Sequence, residues 1–190
     1  MKIYLLDRNP LMVAEWKKYF KNVRDVEVIY NDFEIFMETY DVECVVSPAN
    51  SYGFMDGGYD LAITNYFGEA LMEKVQRLII KNCFGEQPVG TSMFLSIPNS
   101  DKKLIHTPTM RIPSEIKDPM VIYHCMRSTL TAAIKHEVNS IVIPAFGGYC
   151  GNVDFDIIAK LMREAYDQIK NPPRSLSWDY AYNRKIEELI

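Results

Sequence analysis

The sequence predicts an α/β fold built on a mostly parallel sheet with helices covering both of its faces. Three observations lead there. Short apolar runs alternate with amphipathic stretches along the whole chain, which is the pattern of strand–helix–strand units. Two of the runs, around Cys44-Val45-Val46 and Ile141-Val142-Ile143, are apolar throughout, as strands buried on both faces are. The dipeptides Asn9-Pro10 and Asp118-Pro119 pair a capping side chain with a proline that tolerates the first helical position.

Taken in order, Ile3 to Leu6 reads as the first strand. Asn9-Pro10 opens a helix, with Met12, Trp16, Tyr19 and Phe20 at helical spacing. Val26 to Tyr30 is a second strand and Glu43 to Ser47 a third. From Asp60, apolar residues recur at Ile63, Tyr66, Phe67, Ala70, Leu71, Val75, Leu78 and Ile79, which predicts one long amphipathic helix. Thr91 to Ile97 and Lys103 to Thr107 are strands around the turn Pro98-Asn99-Ser100-Asp101. Asp118-Pro119 opens a helix running to about Glu137, and Ser140 to Ile143 is a buried strand. Ile158, Leu161, Met162, Ala165, Tyr166 and Ile169 mark a last long helix, stopped before Pro172-Pro173. The expected division is a domain over residues 1–172 and an extension over 173–190. That extension carries Trp178, Tyr180 and Tyr182, then a short charged helix.

Composition narrows the function. The chain has 190 residues, 48% hydrophobic and 24% charged, enough for one well-packed domain. The net charge of −4 argues against a general nucleic-acid or anionic-membrane surface and leaves room for a local anion pocket. No run approaches the roughly 20 apolar residues that span a bilayer. The apolar start before Asp7 is too short for a signal-peptide core. Cys44, Cys83, Cys125 and Cys150 form no CxxC pair, and His106, His124 and His136 have no metal-like spacing. The expectation is a cytoplasmic protein with reduced thiols, no metal and no cofactor.

Ligands of parallel sheets bind at loops leaving the carboxyl ends of strands. Two such loops are rich in glycine. The first runs Ser47-Pro48-Ala49-Asn50-Ser51-Tyr52-Gly53-Phe54-Met55-Asp56-Gly57-Gly58-Tyr59-Asp60; the second runs Pro144-Ala145-Phe146-Gly147-Gly148-Tyr149-Cys150-Gly151-Asn152. Each leads from a buried strand to a helix start, where free backbone N–H groups favour anions. A pair of such loops at one rim can clamp a diphosphate. Neither contains a lysine, and GxxxxGK[ST] and GxGxxG are both absent. That disfavours a P-loop nucleotide hydrolase and a dinucleotide oxidoreductase.

The first loop resembles the signature of the macrodomain family, N-A-A-N-S-x-L-x-G-G-G-G-V-D-G-A-I, without a gap. Asn50, Gly57, Gly58, Asp60 and Ala62-Ile63 fall on matching positions. The second loop resembles the family's P-A-x-G-T-G-x-G, with Gly148 and Tyr149 replacing its Thr and second Gly. Asp32 resembles the Asp of a G-D-I turn that contacts adenine. The resemblance implies a three-layer α/β/α sandwich with a mixed, mostly parallel sheet. It further implies that ADP-ribose, free or attached to a substrate, lies in a cleft. Asn50 would orient the distal ribose and Asp60 would activate water there, an amide and a carboxylate being suited to those tasks. Their spacing of ten matches the branch that removes ADP-ribose from acidic side chains. Asp32, Phe33, Ala49, Gly57, Gly58, Tyr59, Phe146, Gly147, Gly148, Tyr149, Cys150 and Gly151 would join Asn50 in holding the ligand.

Departures bear on the substrate. Ser47-Pro48 replaces Asn-Ala, and Phe54-Met55-Asp56 replaces part of the glycine run. Asp56 repels a nearby phosphate unless it points away or pairs with a cation. Phe33 and Phe155 can stack on adenine or serve the core. His106 reads as structural and Arg111 as solvated. Three functions compete: a hydrolase of an ADP-ribosyl compound (ADP-ribosylated protein, ADP-ribose 1″-phosphate or a related nucleotide), a non-catalytic reader of such a nucleotide, and an assembly protein that kept the fold.

Overall fold

The computed structural model describes the backbone of all 190 residues and the side chains of all but residues 187 and 189. Six strands form one sheet: β1 (Lys2–Asp7), β2 (Val26–Tyr30), β3 (Cys44–Ser47), β4 (Met93–Ser96), β5 (Lys103–His106) and β6 (Ser140–Ile143). Their order is β2-β1-β6-β3-β5-β4. All pairings are parallel except β4 with β5. The predicted mixed, mostly parallel sheet is what the chain forms.

Side-chain alternation along each strand sorts the core into two layers. Ile3, Leu5, Val46, Ile105, Ile141 and Ile143 face one side and pack under α1 (Pro10–Tyr19), α5 (Met120–Lys135) and α6 (Phe155–Lys170). Leu6, Val45, Leu104 and Val142 face the other, under α2 (Phe33–Thr39), α3 (Gly58–Phe67) and α4 (Ala70–Cys83). Helices on both faces of one sheet make the three-layer sandwich.

The caps behave as their residue types require. Asn9 Oδ1 accepts from the Leu11 N–H at 2.9 Å ahead of Pro10. Asp118 Oδ1 accepts from the Met120 N–H at 3.0 Å.

Three expectations change. The long helix from Asp60 is two helices, α3 and α4, because Gly68 takes φ +91° and ends the first one, its N–H still reaching the Thr64 carbonyl at 2.8 Å. The apolar periodicity carries across that break. Helix α2 follows Asp32 directly, where the sequence suggested only a turn. In the extension, the helix falls on the aromatic segment itself, α7 (Trp178–Asn183), and a 3-10 turn, Ile186–Leu189, follows. The extension packs back on α6: Arg184 Nη1 lies 2.8 Å from Glu164 Oε1, and Tyr180 pairs with Gln168. Trp178 and Tyr182 stay exposed. Among the described residues, no helix is long and apolar enough to cross a membrane.

Candidate functional site

Because β1, β2, β3 and β6 run parallel, their carboxyl ends share one rim, and a cleft of about 650 Å³ opens there. That volume is in the range of small-molecule and cofactor sites. The two glycine-bearing loops form part of its wall, from Pro48–Asn50 and Phe54 to Asp60 on one side and Gly147–Gly151 on the other. The ends of β1 and β2, with Asp7, Arg8, Asp32 and Phe33, form another part.

The first loop is built by Asn50. Its backbone bridges to Met110, and its side chain is spent on its own turn: Oδ1 accepts from the Tyr52 and Phe54 N–H groups at 3.1 and 3.3 Å, and Nδ2 donates to the Phe54 carbonyl at 3.0 Å. Asn50 therefore holds the loop as well as lining the cleft. Beyond it the chain enters α3 through Gly57 and Gly58. No side chain caps this helix, so its first N–H groups remain available. A Cβ on either glycine would meet nothing within 4 Å, which marks an open surface.

In the first turn of α3, Asp60 lines the cleft at only 9% exposure. The Ser47 hydroxyl, at the end of β3, donates to Asp60 Oδ1 at 2.6 Å. Burial pushes the Asp60 carboxyl up to about 7; the Ser47 bond works against this rise, and the Asp56 charge adds to it. A carboxyl titrating near neutrality in a cleft is suited to taking a proton from water. Ser47, which the sequence presented as a departure, is the group that positions Asp60. The available signal was a hydroxyl residue ending a buried strand.

The second loop is tight. A Cβ at Gly151 would lie 2.5 Å from the Gly147 carbonyl oxygen, so this crossing admits glycine alone. Tyr149 is about half exposed, and its hydroxyl donates to Asp7 Oδ1, which also accepts from the Asn9 N–H at 2.8 Å. Burial raises the Asp7 carboxyl despite both bonds. Sequence reasoning missed Asp7, although a carboxylate ending a parallel strand was visible.

The remaining expected residues divide. Ala49, Gly148 and Cys150 line the cleft, as do Asp32, Phe33 and Tyr59. Asp32 has no capping bond and lies 3.9 Å from Arg8 Nη1. Phe33 is buried, held edge-on by Tyr59 at 5.3 Å and Tyr66 at 5.9 Å, and serves as wall rather than as a free stacking plate. Phe146 is turned into the core and does not line the cleft: past the end of β6 the alternation stops, and its ring joins the layer of Ile141 and Ile143 under α1, α5 and α6. Phe155 packs against the same core. His106 is buried, with Nδ1 paired to Gln87 Oε1 at 2.8 Å, and burial lowers it to about 4. Arg111 is not free in solvent: it pairs with Glu86 at 2.9 Å and lies over the Tyr52 ring. All four cysteines are free thiols. Among the described residues, no three His, Cys, Asp or Glu side chains gather to hold a metal ion.

Comparison with known proteins adds the following. The Macro domain family model matches residues 46–162, more than half of the chain. An uncharacterized protein of Aquifex aeolicus is 30% identical over 126 residues, covering 65% of this chain and 72% of its own. Another, from Aeropyrum pernix, is 30% identical over 125 residues, and the match spans 61% of that protein's length. Among solved structures, the macrodomain of Mycobacterium tuberculosis DarG superposes with a TM-score of 0.59 at 18% identity, covering 68% of this chain and 84% of that one. The Oceanobacillus iheyensis macrodomain with ADP gives 0.59 at 21%, covering 67% and 68%. A mutant of that macrodomain with ADPR gives 0.61 at 19%, covering 79% and 87%. At these identities the structures establish a shared fold.

Proposed function

The chain belongs to the Macro domain family, and from that premise we propose that its cleft binds ADP-ribose or an ADP-ribosyl compound and hydrolyses it at the distal ribose. Macrodomains of the same fold that carry ADP and ADPR support the ligand class. The observation that carries the hydrolytic reading is Asp60: a buried carboxyl facing the cleft, fixed by Ser47 and held near neutrality. In this reading the Gly57–Gly58 turn and the Gly147–Gly151 loop take the diphosphate through main-chain N–H groups, which need no lysine. Asp60 then removes a proton from the water that attacks the anomeric carbon. The four free thiols fit a reducing cytoplasm.

One observation favours a second reading, a reader that binds without turnover. The Asn50 amide is committed to its own loop, so the ribose-orienting role expected of it requires the loop to loosen or the backbone to act instead. Calorimetry with ADP-ribose, then product analysis with an ADP-ribosylated peptide, separates the two. Product formation that disappears in Asp60→Ala supports the hydrolase; binding without product supports the reader.

A further inference from the structure

The strands that carry the two glycine-bearing loops are neighbours, but their pairing ends early. β3 and β6 are in register only at Cys44–Ile141 and Val45–Val142, before either loop begins. Among the described residues, no hydrogen bond runs directly from one loop to the other. A third segment, leaving β5, touches both. At its start the Thr109 N–H donates to the Ala49 carbonyl at 3.3 Å, and the Ser51 N–H donates to the Met110 carbonyl at 3.1 Å. Arg111 then pairs with Glu86, which also accepts from the Tyr52 hydroxyl at 2.7 Å, and its guanidinium lies over the Tyr52 ring. These contacts fasten the segment to the first loop. Further on, the Ile116 N–H donates to the Gly151 carbonyl at 2.9 Å. Ile116 is drawn inward between exposed neighbours. Its Cδ1 fills the space beneath the second loop, where a Cβ on Gly147 or Gly151 would lie 2.7 or 2.6 Å from it.

The stretch from Arg111 to Ile116 is short. Its peptide units reach about 18 Å at full extension, so the anchors cannot drift far apart. Pro113 fixes one dihedral within it. Thr109, Met110 and Pro113 line the cleft, whereas the Arg111 and Ile116 side chains do not. A single phosphate can be held by one loop alone, but a diphosphate must meet both at once. Loops held at the working separation before the ligand arrives spare the ordering cost of binding it.

We propose that Thr109–Ile116 is a tie that presets the separation of the two loops for a diphosphate, with Arg111 and Ile116 as its positioning residues. The proposal rests on the assignment of the diphosphate to these loops and adds what spaces them. Arg111 acts on the first loop and Ile116 on the second, so the two residues influence the ligand only as opposite ends of one link.

The test is calorimetry on the full chain with ADP-ribose, ADP and AMP, in the wild type, Arg111→Ala, Ile116→Ala and the double variant. Affinity for ADP-ribose and ADP is expected to fall about 10-fold in Ile116→Ala and about 3-fold in Arg111→Ala, and affinity for AMP by less than about 2-fold in either. The double variant should lose no more than Ile116→Ala alone, because a tie cut at one end is already slack at the other. Losses that multiply overturn the proposal, since the two residues then act independently. Equal losses for ADP and AMP overturn it too, since a merely structural defect weakens every ligand alike. Should Ile116→Ala fail to fold, the exposed Arg111→Ala decides by itself: a loss confined to the diphosphates supports the tie, and wild-type affinity for them overturns it. If the wild type binds neither ADP-ribose nor ADP, the diphosphate assignment falls and takes the tie with it. If it binds both and every variant matches it, only the tie falls.

Discussion

The Ser47 hydroxyl and the Asp60 carboxylate, 2.6 Å apart, tie the end of β3 to the first turn of α3 beneath the cleft. The bond fixes Asp60 in place and offsets part of the penalty of burying it. Removing the hydroxyl with Ser47→Ala should therefore move the inflection of the pH–rate profile above about 7, since the bond is what holds the carboxyl down. The variant should also lose about 1–2 kcal/mol of stability. Rates measured across pH with an ADP-ribosyl substrate check the first effect, and urea melts check the second.

The Asp60 carboxyl is raised from 3.8 to about 7 on folding. The folded chain thus holds a proton that the unfolded chain has released between those values. Its contribution to stability is complete below about pH 4 and is lost as pH rises through 7. Asp60→Asn removes this dependence. It should match the wild type near pH 4 and exceed it by about 1–4 kcal/mol near pH 8, while abolishing turnover. Paired melts at the two pH values report it; a variant less stable at the higher pH contradicts the assigned burial.

Tyr149 donates to the buried Asp7 carboxyl across the rim. Tyr149→Phe should destabilise the protein by about 1–3 kcal/mol once Asp7 is ionised, because a charge-assisted bond is lost. The loss should shrink as acid protonates Asp7, whose folded value is already raised by burial. Thermal melts of both proteins over pH show whether the gap widens upward.

Gly151 and Gly57 give opposite tests of the two loops. A Cβ at Gly151 meets the Gly147 carbonyl oxygen at 2.5 Å, so Gly151→Ala should cost about 1–3 kcal/mol and disorder the loop. At Gly57 the space is open, so substitution should leave the melting temperature nearly unchanged and act only on the ligand. Differential scanning calorimetry of the two variants distinguishes them.

Much of this was legible in the sequence, for identifiable reasons. Strands buried on both faces, such as Cys44–Ser47 and Ser140–Ile143, announce themselves by unbroken apolar runs. The glycines that follow them announced the loops. What escaped were features decided by a single residue or by tertiary contact. Gly68 breaks α3 from α4 without interrupting the apolar stripe. Helix α2 is only seven residues long, too short to show periodicity. Phe146 lies in a ligand loop by sequence and in the core by geometry. Ser47 and Asp7 matter through partners 13 and 142 residues away, which no local pattern encodes.

Titration of ADP-ribose into the wild-type protein and into Gly57→Glu, by calorimetry, tests the central claim most directly. The account predicts saturable one-site binding to the wild type and its loss in the variant, whose added carboxylate would occupy the turn assigned to the diphosphate while the fold persists. No binding to the wild type, or equal binding to both, would contradict it.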